Sequence, residues 1–158
     1  MNPLIKSVLS EIDRIAAFVP SAGLLAKDVS KWSIGQHIEH VAKATSAIAV
    51  ALLRHKASSL PPDDNPLKST LLDQGSFPRG IVDAPDITLP SEEIRSEALE
   101  SLLLKTRNRV GKLDGLQPEA AAEHHYLGMM QRDESIEFLA IHLRHHISII
   151  EDIVKASS

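Results

Sequence analysis

Apolar residues recur every three or four positions in four long segments of the chain, which is the spacing of one face of an α-helix. Ser33 precedes the second segment and is predicted to be its N-cap, and Ser91 with two following glutamates is predicted to open the third. The predicted helices run from Pro3 to Pro20, from Ser33 to about Lys56, from Ser91 to Gly111 or Gly115, and from about Asp133 into the last few residues. The pattern therefore predicts an all-α fold with four helices.

The connections between these helices differ greatly in length. Ser21–Lys31 is short, and Gln117–Gln131 is predicted to be a plain connection. Ala57–Pro90 is much longer, shows no sustained periodicity and holds most of the nine prolines. Long segments of this kind inside compact domains are usually functional, and the proline density favours an ordered strap laid across the helices. We therefore expect one domain over residues 1–158, a four-helix bundle with a long crossover between its second and third helices.

Composition excludes several classes of function. The 17 basic and 21 acidic residues give a net charge of −4, and no basic run is present, so a nucleic-acid partner is not expected. No apolar run approaches the roughly 20 residues that span a bilayer, so we expect no membrane partner and a cytoplasmic location. Cysteine is absent, so any thiol chemistry needs a thiol supplied from outside.

The most unusual stretch is Phe138–Ile150, which places three histidines in an otherwise apolar run. His142 and His146 lie one helical turn apart at the edge of the apolar stripe, and His145 sits further round. An unpaired buried polar group costs about 1 to 3 kcal/mol, so these imidazoles need polar partners or a metal ion. The spacing of His142 and His146 suits a single ion.

The second helix offers a further ligand. His37 and His40 project on a side lined by three alanines, which leave room either for a closely packed neighbour or for a cavity. The alanines are Ala44, Ala47 and Ala51. His40 is the candidate third ligand, and three neutral imidazoles with one open position form a typical catalytic metal site.

The sequence leaves more than one role open for the remaining histidines. His37 and His145 are candidate cavity-wall groups or partners of the ligands, and His124 and His125 lie in a predicted loop, where a histidine serves as a proton shuttle or as a cap. His55 at a helix end reads as a solvated residue. The whole set is also compatible with a satisfied polar cluster that binds no metal.

The motifs around these histidines resemble a known family. Trp32-Ser33 followed by His40, eight residues after the tryptophan, and His142 and His146 in a His-x3-His pattern are similar to the DinB-like superfamily, which includes bacillithiol transferases and mycothiol-dependent maleylpyruvate isomerase. The segment 124–128 looks like one found before the last helix in one branch. Many relatives carry glutamine three residues after the last ligand, where this chain has Ile149, which cannot form its hydrogen bonds.

The resemblance implies a four-helix bundle in which His40, His142 and His146 bind a divalent metal ion, with Zn or Ni favoured and Co, Cu or Fe as alternatives. It implies a metal-dependent enzyme, either a thiol S-transferase or a hydrolase, with a small-molecule thiol and an electrophile as partners. His37, His124 and His145 are then the candidates for catalytic proton transfer. The alternative is a metal-binding bundle without turnover, acting in stress response or as an interaction module. A homodimer is expected, because the apolar arc of the last helix is wider than one bundle core needs.

Overall fold

The computed structural model describes residues 1–54, 65–79 and 84–158. Within this part of the chain the fold is mostly helical, with one small β-hairpin. The elements are α1 (Pro3–Ala16), α2 (Ile34–Arg54), α3 (Pro66–Gln74), α4 (Ser96–Lys112), β1 (Ala121–His124), β2 (Gly128–Gln131) and α5 (Arg132–Ala156). None of the described helices combines the length and apolarity that crossing a bilayer requires.

The four longer helices pack against one another as a bundle. α2 packs on α4 and α5, and α1 packs on the same two helices. The core contains the predicted apolar stripes, with Ile5 and Ile12 from α1, Ile38 from α2 and Ile150 from α5 all essentially buried. The helical bundle predicted from the periodicity is therefore confirmed, although α3 and the hairpin show that the chain is not purely a four-helix, all-α structure.

The start of α2 is confirmed at the predicted N-cap. The Gln36 backbone N–H donates to Ser33 Oγ at 3.2 Å, and the Ser33 N–H donates to Gln36 Oε1 at 2.9 Å, so the two residues cap the helix reciprocally. Gly35 in the first turn donates its N–H to the Ala22 carbonyl at 2.8 Å. A Cβ atom there would lie 3.0 Å from that oxygen, so glycine permits the close approach. The predicted end of this helix at Lys56, and His55, lie outside the described residues.

The predicted start of the third long helix is wrong. Ser91 does not cap a helix, and α4 begins five residues later at Ser96. The reason is that Ser91 is bound to α2: its backbone N–H and its hydroxyl both donate to the Glu39 carboxylate, at 3.1 and 2.8 Å. α4 ends at Lys112 and is followed by a 3-10 turn, Leu113–Gly115, so the predicted stop is correct to within a turn.

Two predicted connections contain regular structure. The long crossover includes α3, which is capped by Asn65 and ends at Gly75 with a left-handed φ of 64°. The predicted loop 117–131 contains the antiparallel strands β1 and β2, which pair Ala121 with Gln131 and His124 with Gly128. Both elements are too short for an apolar period to be read from the sequence.

The described parts of the crossover lie across the bundle as a strap, defined here as residues 77–79 and 84–91. One end docks on α2, where Lys43 donates to the Leu89 carbonyl at 3.0 Å and Gln36 to the Ser91 carbonyl at 3.2 Å. The other end docks on α5, where Arg79 contacts Asp152 at 2.9 Å. The strap thus connects the two helices that carry the candidate ligands.

Candidate metal centre

Three histidines from two helices distant in sequence meet inside the bundle. His40 of α2 and His142 and His146 of α5 each offer one ring nitrogen, and these three atoms lie within 4.8 Å of one another. Their residues are only 5%, 8% and 6% exposed. The predicted convergence of these three imidazoles is confirmed.

The two α5 histidines face each other across one helical turn. The Nε2 atoms of His142 and His146 lie 3.2 Å apart. Two nitrogens bound to the same tetrahedral zinc at about 2.0 to 2.1 Å are about 3.3 Å apart, so this separation matches that of a shared ion. The same separation is that of a hydrogen bond between the two rings, so the i, i+4 spacing suits either a shared ion or a direct contact.

The tautomer of His40 is determined by the strap. Its Nδ1 lies 2.9 Å from the Thr88 carbonyl oxygen, which only accepts hydrogen bonds, so Nδ1 carries the proton. The lone pair is then on Nε2. A ligating histidine typically donates its other N–H to a carbonyl or carboxylate in this way. The Trp32 ring packs beside His40 with its centroid 5.1 Å away.

His146 is connected to a chain of polar groups. Its Nδ1 lies 2.9 Å from Nδ1 of His37, and Nε2 of His37 lies 2.8 Å from Ser30 Oγ. Ser30 Oγ also accepts the backbone N–H of Trp32 at 3.2 Å. His37 thus contacts His146 through Nδ1 and is itself fixed by Ser30 through Nε2.

His142 is the least satisfied member of the cluster. Its Nδ1 is buried and has no hydrogen-bond partner among the described residues. The Phe138 ring stacks on its imidazole at a centroid distance of 5.5 Å and an interplanar angle of 17°. A buried unpaired nitrogen is costly, so the histidines are not a fully satisfied polar cluster. An ion bound at Nε2 would leave this Nδ1 unpaired as well, so the fit of these residues to a metal ion rests on the convergence of the three rings.

Burial also keeps the ligands in the form that metals require. It lowers the pKa of His142 and His146 well below the usual 6.5, and neighbouring histidines lower both further. The pKa of His40 is also lowered by burial, although its hydrogen bond to Thr88 opposes the shift. These three side chains are therefore neutral at pH 7, and neutral imidazole is the form that binds divalent metals.

A cleft of about 570 Å³ opens beside the cluster, within the usual range for small-molecule sites. Ala44, Ala47 and Ala51 all line it, so the space that these alanines leave is a cavity. Phe77 and Thr88 of the strap form part of another wall. Ile149, which stands where many DinB-like proteins carry glutamine, also lines the cleft.

The other proposed catalytic histidines lie around this cleft. His145 lines it and packs on Phe77 with ring centroids 5.2 Å apart. His124 also lines it, and its Nδ1 accepts the backbone N–H groups of Tyr126 and Leu127 at 3.2 Å, so it caps the hairpin turn. Burial lowers the pKa of both His145 and His124 to about 4. His125 is exposed and stacks on His124.

The sequence reasoning missed two partners of the cluster, Ser30 and Thr88. Thr88 acts through its backbone carbonyl, which leaves no signature in the residue type. Ser30 precedes the Trp32-Ser33 motif in a short connection, where a serine is unremarkable. Comparison of the chain with protein-family models, with curated proteins and with solved structures found no match, so the resemblance to the DinB-like superfamily is supported by its sequence motifs alone.

Proposed function

We propose that the protein is a divalent-metal-dependent enzyme of the DinB-like superfamily that transfers a low-molecular-weight thiol to an electrophile. The single observation that carries this proposal is the convergence of His40, His142 and His146 on the wall of a cleft. Three protein ligands leave a coordination position free, which is the arrangement of catalytic sites. We favour Zn or Ni for this site, and imidazole nitrogens suit Co, Cu and Fe as well.

A divalent ion held by these imidazoles lowers the pKa of a thiol or a water in the open position and so supplies a nucleophile at neutral pH. The residues around the ion hold its ligands in place and form the space for the reactants. His40 is held by Thr88, and His146 by His37, so two of the three ligand rings are fixed before the ion binds. The cleft supplies room for the two reactants, and the thiol comes from outside because the chain has no cysteine.

The proposed proton acceptor is His145. It lines the cleft and is neutral at pH 7, because burial lowers its pKa to about 4. A group with so low a pKa does not retain a proton, so its proposed role is to pass the proton of a bound thiol on to water. His124 is the proposed donor to a leaving group: because its Nδ1 accepts two backbone N–H groups, its proton is on Nε2. His37 has both nitrogens occupied, which favours a positioning role.

The test is a reaction of the metal-loaded protein with a panel of thiols and electrophiles, followed by mass spectrometry of the adducts. We expect metal-dependent adduct formation that His145→Ala reduces and that Arg144→Ala, at an exposed position of α5 outside the cleft, leaves unchanged. Metal binding with no adduct above the uncatalysed background across the panel would contradict the enzyme and support a non-catalytic metal-binding bundle.

A further inference from the structure

The cleft extends well beyond the histidine cluster along α2. Ala44, Ala47, Ile48 and Ala51 follow His40 on its wall. Ala51 lies eleven residues after His40, a distance of about 16 Å at 1.5 Å per helical residue. The cleft therefore extends from the histidines along α2 towards its C-terminal end.

The opposite wall of this space is also apolar. Phe138 of α5, one turn before His142, and Phe77 of the strap line it. Phe138 is largely buried, at 3% exposed. A hydrocarbon group placed between these walls and α2 would lose contact with water on two sides, which is favourable in proportion to the area buried.

The charged residues around the described cleft offer little to a charged ligand. Arg79 already contacts Asp152 at 2.9 Å and Ser148 at 3.0 Å. Lys31 and Glu123 are exposed residues at the edge of the cleft.

We propose that the cleft binds the apolar arm of a substrate whose metal-binding group lies at the three histidines. The inference rests on the proposed function and names its substrate class: a thiol or electrophile with a linear or aromatic hydrocarbon body and no charge along it. Such a molecule reaches from His40 towards Ala51, between α2 and α5. A hydrophilic, multiply charged thiol would leave its charges against the walls formed by Ile48, Phe77 and Phe138.

The first experiment uses the metal-free protein, so that it is independent of metal binding. A neutral naphthylamine fluorescent probe is bound and then displaced by 1-alkanols of increasing length. We expect displacement to strengthen by about fourfold per methylene, the gain from burying one CH₂ group, until the chain fills the cleft. Ala47→Leu should shift the series towards shorter alkanols, whereas Ala98→Leu, the same change at an exposed position of α4 outside the cleft, should not.

The second experiment uses the Co²⁺-loaded protein and follows the absorption of thiolate bound to cobalt. Linear alkanethiols should bind more tightly with each methylene, and a dicarboxylate thiol of the same length should bind at least tenfold more weakly. Ala47→Leu should weaken long alkanethiols and leave ethanethiol unchanged.

The outcomes separate the two proposals. If Co²⁺ is not retained, the metal site fails, and the alkanol series still decides whether the cleft is apolar. If Co²⁺ is retained but affinity for alkanols and thiols does not depend on chain length, the apolar-substrate inference is overturned. Equal effects of Ala47→Leu and Ala98→Leu would overturn it as well.

Discussion

The Nδ1 atoms of His37 and His146 lie 2.9 Å apart, so one of these rings must donate to the other. If His146 binds a metal through Nε2, its Nδ1 carries the proton and donates to His37. His37 then carries its own proton on Nε2 and donates it to Ser30 Oγ. A single assignment of protons therefore satisfies every hydrogen bond in the series from Ser30 through His37 to His146 and the proposed ion.

Removing His37 should weaken metal binding without removing a ligand. In His37→Ala, His146 loses the group that fixes its ring and its tautomer, and loss of such partners typically costs 10- to 100-fold in metal affinity. Competition with a chelator measures this, with His125→Ala as the matched control. Long-range ¹⁵N NMR of the zinc-loaded protein should show His146 protonated on Nδ1. Unchanged affinity in His37→Ala, or an Nε2-protonated His146, would rule out the positioning role.

The strap should depend on Glu39 for its position. Glu39 accepts both the N–H and the hydroxyl of Ser91 and pairs with Lys43 at 2.7 Å. In Glu39→Ala these donors lose their partner, and because Ser91 is exposed and its donors can bind water instead, we expect a loss of about 0.5 to 1.5 kcal/mol in the free energy of unfolding. Since Thr88 precedes Ser91 by three residues, the hydrogen bond from His40 to the Thr88 carbonyl should loosen as well.

Urea denaturation and amide hydrogen exchange over residues 84–91 test this expectation. The exposed Glu92 provides the control, because Glu92→Ala changes the same residue type next to Ser91. Exchange in the strap that is equally slow in both variants would show that Glu39 does not hold it.

The metal-free protein should lose stability as the pH falls below about 6.5. Burial lowers the pKa of His37, His124 and His145 to about 4 in the folded protein, against 6.5 for an ordinary histidine. Between these two values the unfolded chain binds more protons, so the free energy of unfolding decreases with falling pH. Each of the three histidines changes the free energy of unfolding by up to about 1.4 kcal/mol per pH unit. This stability is fully present above pH 6.5 and is lost as the pH falls towards 4.

Urea denaturation at pH 7.5, 6.0 and 5.0 measures the slope. His37→Gln should reduce it, because glutamine does not titrate. A free energy of unfolding that stays constant from pH 7.5 to 5.0 would contradict the buried, neutral state of these histidines.

The sequence was most informative where a residue type conflicted with its surroundings. Histidines at the edge of an apolar stripe require an explanation, and this conflict correctly led to His40, His142 and His146. The alanines beside His40 likewise indicated free space, although only the structure distinguished a cleft from close helix packing.

The sequence was least informative where backbone groups or short elements decide the structure. The Thr88 carbonyl that orients His40 is the same in any residue, and α3 has only nine residues, fewer than three helical turns. Ser91 looked like an N-cap because Glu92 and Glu93 follow it. In the fold Ser91 binds Glu39, 52 positions away, instead of capping a helix. Neighbouring residues in the sequence do not predict such a distant contact.

Metal content tests the central claim most directly. The protein is purified without a histidine tag, loaded with Zn²⁺, passed through a desalting column and analysed by elemental mass spectrometry together with the His146→Ala and His125→Ala variants. We expect about one ion per chain in the wild type and in His125→Ala, and less than about one tenth of that in His146→Ala, since two remaining imidazoles bind weakly. Equal metal content in His146→Ala and the wild type would contradict a site formed by His40, His142 and His146.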